Sequence, residues 1–266
     1  AKGNSREAVR KALGAMQSKD SGGDGLTGKV FFDKEGSAIR PATVVRFSTP
    51  GDMFKPLYDQ LKVVADDHNL RQVEKKVKAG EFLLADGVPY FKIKVVYVGM
   101  DYSRVNSIKP KEQSFDMEFF LWFRWTDEFN PEDLLIVNAI GDVNRAPLRE
   151  DLNRPDRYQA FKVRAEFRHP FNLRRFPFDE QELPITIAHR NRNADKLILV
   201  ADRERIRDYP VNEIYPEEYL YLGRKEAGGT FTIYSVFGNP GYRANERQAD
   251  FSQFHSSLLV RRDITP

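Results

Sequence analysis

The sequence predicts a mainly β protein built as an antiparallel β-sandwich, preceded by a small α+β segment at its N-terminus. Three observations carry this. In QSFDMEFFLWFRWTD the odd positions Phe115, Met117, Phe119, Leu121, Phe123 and Trp125 are all apolar, while Ser114, Asp116, Glu118 and Arg124 stand between them. In AFKVRAEFR, Phe161, Val163, Ala165 and Phe167 alternate with Lys162, Arg164, Glu166 and Arg168. Such half-polar alternation marks strands with one buried and one wet face. Six further strand-like runs follow from residue 90 onward, separated by turn signals, so that seven or more strands are expected.

Taken in chain order, SREAVRKALGAM begins with a Ser cap and spaces Val9, Leu13 and Met16 for one helix over residues 5–16. SKDSGGDG is a Gly-rich loop. KVFF and ATVVRF flank the turn-rich DKEGSAIRP as the arms of a hairpin would. A second helix is expected at about 54–67, where Leu57, Leu61, Val64 and Ala65 form a stripe, and the charged RQVEKKVKAG then belongs to a connector. Helical period gives way to alternation past this point, placing a boundary near residues 62–80 and three segments at 1–67, 68–89 and 90–266. The later strands are YFKIKVVYV, DLLIVNAI, LPITIAH, KLILVAD, TFTIYSVF and FHSSLLVRR.

Bulk composition narrows the function. With 266 residues, 41% apolar, the chain can bury a sizeable core. The 42 basic side chains against 39 acidic ones leave +3, too balanced for a nucleic-acid footprint, and no such partner is expected. Basic stretches such as FRHPFNLRR and HRNRN are interrupted at once by Asp179, Glu180 and Asp195. The absence of cysteine excludes disulfides, thiol nucleophiles and thiolate metal sites. No stretch approaches the roughly 18 apolar residues of a membrane helix. The start lacks a secretory pattern, so the chain as given reads as a soluble piece of something longer.

Catalytic motifs fail on inspection. Gly23, then four residues, then Gly28 and Lys29 approximate a phosphate loop, but Val30 replaces the hydroxyl residue that would hold magnesium. His68, His169, His189 and His255 never fall three or four apart, as a local metal pair requires. No serine occupies a nucleophile elbow, and the carboxylates of DEFNPED read as a solvated loop. No enzyme activity and no cofactor are expected.

Two features remain. Phe120 and Trp122 sit on the polar face of their strand, where either a loop, a neighbouring subunit or a ligand must cover them. In FPFD, Pro177 fixes a bend, Phe176 and Phe178 can plug apolar surface on either side, and Asp179 is left to find a cation.

WFRWTDEFNPEDLLIVNAIGD and HPFNLRRFPFDEQEL resemble the pentameric ligand-gated ion channels, the Cys-loop receptor family. The first is similar to the family's second strand and loop A. The second is similar to its signature loop, with His169 and Leu183 where animal members carry cysteines, as in bacterial members without the bridge. VRRDITP resembles the end that precedes the first transmembrane helix. The resemblance covers about residues 90–266. It implies an extracellular sandwich of about ten strands that assembles as a homopentamer, with small-molecule pockets between neighbours and a pore in transmembrane helices that this chain lacks. It also implies that Asp179 pairs with Arg261 or Arg262, and that Phe176, Pro177, Phe178 and Asp179 couple the sandwich to the membrane.

For the pocket the resemblance matches Phe120 and Trp122 to the complementary face, Val137 and Asn138 to loop A, and His189 and Arg190 to loop B. Tyr234, Phe237 and Tyr242 fall in loop C. Val137 and Arg190 stand where amine-binding members carry aromatics, which makes an anionic or amphoteric ligand, held through Arg190, at least as apt as an amine. Residues 4–62, with SREAVRKAL and GLTGKVFFDKEGSAIRPATVVRF, resemble the closing helix and hairpin of type I periplasmic solute-binding proteins for branched-chain amino acids and amides. The combination implies a bacterial fusion facing the periplasm or cell exterior. The alternative is a soluble periplasmic solute-binding or adhesion module without a channel.

Overall fold

The computed structural model describes residues 5–17, 21, 23–25, 28–32, 36, 38–39, 45–46, 55–63, 70–85, 88–153, 155–194, 196–202, 216, 218–233 and 249–264. It divides into two compact units, Ala1–Ile93 and Lys94–Pro266.

In the first unit, helix α1 (Arg6–Gly14) starts where the sequence places it, with the Ser5 hydroxyl accepting from the Ala8 amide at 3.2 Å. Strands β1 (Gly23–Gly25) and β2 (Gly28–Phe32) pair with Asp24 opposite Lys29, so the phosphate-loop lookalike is a hairpin. The arm opposite β2 is β3 (Ala38–Ile39), whereas ATVVRF supplies β4 (Val45–Arg46), which pairs with β5 (Lys55–Pro56).

The expected helix at 54–67 is not formed. Lys55–Pro56 and β6 (Asp59–Val63) are extended there, because Pro56 cannot donate to a helix and the residues that follow alternate. Gln60, not an apolar residue, is the buried side chain of that stretch. Val64 and Ala65 lie outside the described residues. The expected connector is likewise corrected, since it holds helix α2 (Leu70–Lys78) and strand β7 (Phe82–Ala85). Its charges hide Val73 and Val77, one turn apart on a single face, which pack with Phe82 and Phe91. Gly80, at φ +75°, ends the helix: its amide donates to the Val77 carbonyl and that of Glu81 to Lys76, the double bond of a Schellman stop. The division between compact units falls at 93/94, close to residue 90, where the third expected segment begins.

The second unit is a sandwich of antiparallel sheets, as the alternation requires. One sheet takes the order β11 (Ala139–Asp151), β12 (Arg157–Arg168), β9 (Ser114–Trp125), β8 (Val88–Lys109) and β14 (Leu197–Ala201). The other takes β10 (Leu134–Ile136), β13 (Glu180–His189), β16 (Ala249–Arg262) and β15 (Tyr219–Ile233). A single pairing among these strands, β14 with β8, is parallel. Phe115, Met117, Phe119, Leu121 and Phe123 of β9 are fully buried and meet Ile185, Ile187 and Phe254 of the facing sheet in one core. The Tyr102 hydroxyl and Ser256 share a hydrogen bond of 2.6 Å inside it.

Candidate functional site

Two places in the second unit gather chemistry. The first is the turn between β12 and β13. The Gln181 amide closes it, since its oxygen accepts from the Asn172 amide at 3.2 Å and its nitrogen donates to the Asn172 carbonyl at 3.0 Å and to Asp179 at 2.7 Å. The Phe176–Pro177 peptide is cis. Asp179 is 1% exposed and receives Arg262 through Nε at 3.0 Å and Nη2 at 3.4 Å. Between the two candidate arginines, the partner is thus Arg262, while Arg261 is exposed opposite Glu180. The Arg262 guanidinium lies 5.0 Å from the Phe176 ring centre and 5.1 Å from that of Tyr219, its cross-strand neighbour. Burial alone would raise the Asp179 pKa, but the hydrogen bonds from Arg262, Gln181 and the backbone together hold it below the usual carboxylate value. Those of Arg262 are pushed upward by the same bond.

Phe176 and Phe178, the rings expected to plug apolar surface on either side of the bend, are 63% and 66% exposed in the single chain. The reason is local. The side chain turned inward at the end of the loop is the Asp179 carboxylate, so the residue before it faces out. Two rings therefore project from a turn whose base is bonded shut.

The second place is the polar face of the sheet that holds β9. Two cross-strand rungs build it, one running Tyr97, Arg124, Tyr158, Asp151 and the next Gly99, Trp122, Ala160, Arg149. In the second rung the large Trp122 stands between two of the smallest residues. Its indole lies on Gly99 so closely that a Cβ there would come within 2.1 Å of the ring. On the other side stands the buried Ala160, and beyond it the exposed Arg149. The Trp122 indole N–H donates to Asp202 at 3.0 Å, and Arg124 grips the same carboxylate with two bonds of 2.8 Å while lying over Tyr97. The outcome is a recess of about 320 Å³ lined by these residues with Arg149, Asp151, Asp156 and Tyr158.

The sequence singled out Trp122 but not its partners. The only signal for them was the placement of Gly99 and Ala160, which becomes meaningful once register is known. Phe120, two residues earlier, is 36% exposed beside Asp101, whose pKa burial raises and Arg224 partly restores.

The other pocket residues stand on or beside the second sheet. Val137 is exposed in the turn after β10. Asn138 is a clamp: its Nδ2 donates to the Pro184 carbonyl at 2.7 Å and its Oδ1 accepts from the Thr186 amide at 3.0 Å. His189 is buried, with Nδ1 accepting from the amides of Asn191 and Arg192 at 3.1 and 3.0 Å. Burial, then Arg192, keeps its pKa low, with Asp133 opposing, so the ring stays neutral. Arg190 is exposed, with its main-chain amide bonded to the Asp133 carbonyl. Tyr234, Phe237 and Tyr242 lie outside the described residues. Within one chain, Trp122 and the His189 group thus occupy different sheets.

Among the described residues no group of three or more His, Asp or Glu is placed to hold a metal ion, and no helix is long and apolar enough to cross a membrane. No protein-family model matches the sequence, and no curated protein matches it either.

Proposed function

We propose that this chain is the extracytoplasmic ligand-binding part of a bacterial pentameric ligand-gated ion channel. The Arg262–Asp179 pair is the observation that carries the reading. It fixes the FPFD turn against the end of β16 and leaves Phe176 and Phe178 presented to a partner. In this reading the partner is a set of transmembrane helices that follow Arg262 in the full-length protein. Ligand binding between neighbouring copies shifts the population between two ring arrangements, and the turn passes that shift to the pore. Trp122 and Phe120 of one copy would face Val137, Asn138, His189 and Arg190 of the next.

The test is the full-length protein in lipid bilayers. A ring of five subunits that conducts on ligand addition, with conduction weakened in Asp179→Asn and Arg262→Gln, supports the reading. A protein that stays monomeric and electrically silent in lipid overturns it.

A further inference from the structure

The turn between β12 and β13 presents more than its two rings. From Arg168 to Phe178 the chain carries three arginines and no acid, and the next carboxylate, Asp179, is buried on Arg262. Two tight turns overlap there: the Phe176 amide donates to the Leu173 carbonyl at 3.1 Å, and the Phe178 amide to that of Arg175 at 2.6 Å. Leu173, Phe176 and Phe178 are thereby gathered with Arg174 and Arg175 on one knuckle, and all five are exposed. Ile264, exposed two residues beyond Arg262, adds to the same end. Arg174 is tied down through its amide on Asn172 and Arg175 through its carbonyl, and among the described residues neither guanidinium has a partner. The nearest exposed carboxylate along the chain, Glu180, stands opposite Arg261 in the strand register.

Rings and cations this close together suit few surfaces. A phosphate ester in water would engage the arginines and leave the rings wet. An apolar groove would take the rings but dehydrate two charges without a counterion. The edge of a bilayer offers both layers within about 10 Å, phosphates for the guanidiniums and acyl carbon for the rings. Charge selects the lipid, since unopposed arginines favour headgroups with a net negative charge. We propose that this knuckle docks on anionic phospholipid, with Arg174 and Arg175 on headgroup phosphates and Leu173 and Phe178 at the acyl boundary. Because Gln181 and Arg262 already fix its base, docking orders little further chain. The inference rests on the channel reading only in placing the turn at a bilayer, and it requires no pore.

The test mixes the chain as it stands with phosphatidylcholine vesicles, with or without phosphatidylglycerol, and reads binding by flotation. Binding to the anionic vesicles should be about tenfold stronger than to the neutral ones, and should weaken as salt rises. An arginine near such a surface contributes about fivefold, so Arg174→Gln combined with Arg175→Gln should weaken binding about 25-fold. The thermal midpoint of that variant should not change, because neither side chain holds a described partner. Arg104→Gln combined with Lys225→Gln removes the same charge from exposed positions on β8 and β15 and should leave binding intact. As a second readout, Phe178→Trp should add an emission that lipids brominated on their acyl chains quench, over the background of Trp122 and Trp125 in the parent. The proposal is overturned if neither vesicle binds, if the neutral vesicles bind as well, if the two charge-removing pairs weaken binding alike, or if Phe178→Trp floats with the vesicles unquenched. Failure here leaves the channel reading to its own test, whereas a full-length protein that is monomeric and silent in lipid, from a chain that still floats, would keep this surface while removing the channel.

Discussion

The turn at Asp179 and the recess at Asp202 are built from the same parts and end as opposites. In each, a buried aspartate accepts two bonds from one arginine, and that arginine lies over an aromatic ring. At the turn the outcome is an apolar projection, because the neighbouring positions carry phenylalanines that the inward carboxylate forces outward. On the sheet face it is a polar hollow, because the neighbouring positions carry Gly99 and Ala160. The ion pair fixes position, and the residues beside it decide whether the surface bulges or recedes.

Removing the arginine from one pair and not the other separates these roles. Arg262→Ala removes the only cation, among the described residues, paired with a carboxylate that is 1% exposed, leaving it the Gln181 amide, and should cost about 3 kcal/mol in urea unfolding. Arg124→Ala should cost less, because the Asp202 side chain it leaves is 7% exposed against 1% for Asp179, each keeping one neutral donor, Trp122 or Gln181. Equal losses would show that the difference in burial between the two carboxylates does not matter. Next in size is Gly99→Ala, whose new methyl collides with the Trp122 ring and should destabilise by about 2 kcal/mol through overpacking. It should also quench or shift Trp122 emission, while a matching Gly141→Ala leaves it unchanged.

Acid should weaken the molecule in two steps. His189 has a folded pKa below its ordinary value near 6.5, so stability is full above that pH and declines as pH falls through the folded value. Asp179 is also depressed, hence its contribution is present above pH about 4 and is lost below it. Stability measured against pH should show the upper step vanish in His189→Gln and the lower one shrink in Asp179→Asn. The smallest effect belongs to Phe178→Ser, within about 0.5 kcal/mol, since an exposed ring holds nothing in place. A large loss there would mean that the projection is structural after all.

The strands of the sandwich were legible because alternation states both the conformation and the buried face. Phe115 to Phe123 show it residue by residue. Helix α2 was not, since its apolar face is only two valines wide within a run of charges, and the Gly80 stop was the clue that charge obscured. The hairpin pairing went astray for a related reason: short strands such as β3 and β4 carry too few residues for a period to declare itself. Of the site, Asp179 and the arginine end could be read as partners, though not which arginine. The recess could not be read, because its walls come from strands brought together only by register.

One amide ties these observations to the behaviour of the turn in solution. Because Gln181 bonds both the amide and the carbonyl of Asn172, and Asn172 in turn accepts from Arg174, the polar stretch before FPFD is sewn to β13. The Asn172 amide should therefore exchange its hydrogen for deuterium slowly, at the pace of the sheet, although the residue sits on an exposed loop. Whatever presses on the projecting rings then moves a strand, not a slack tether.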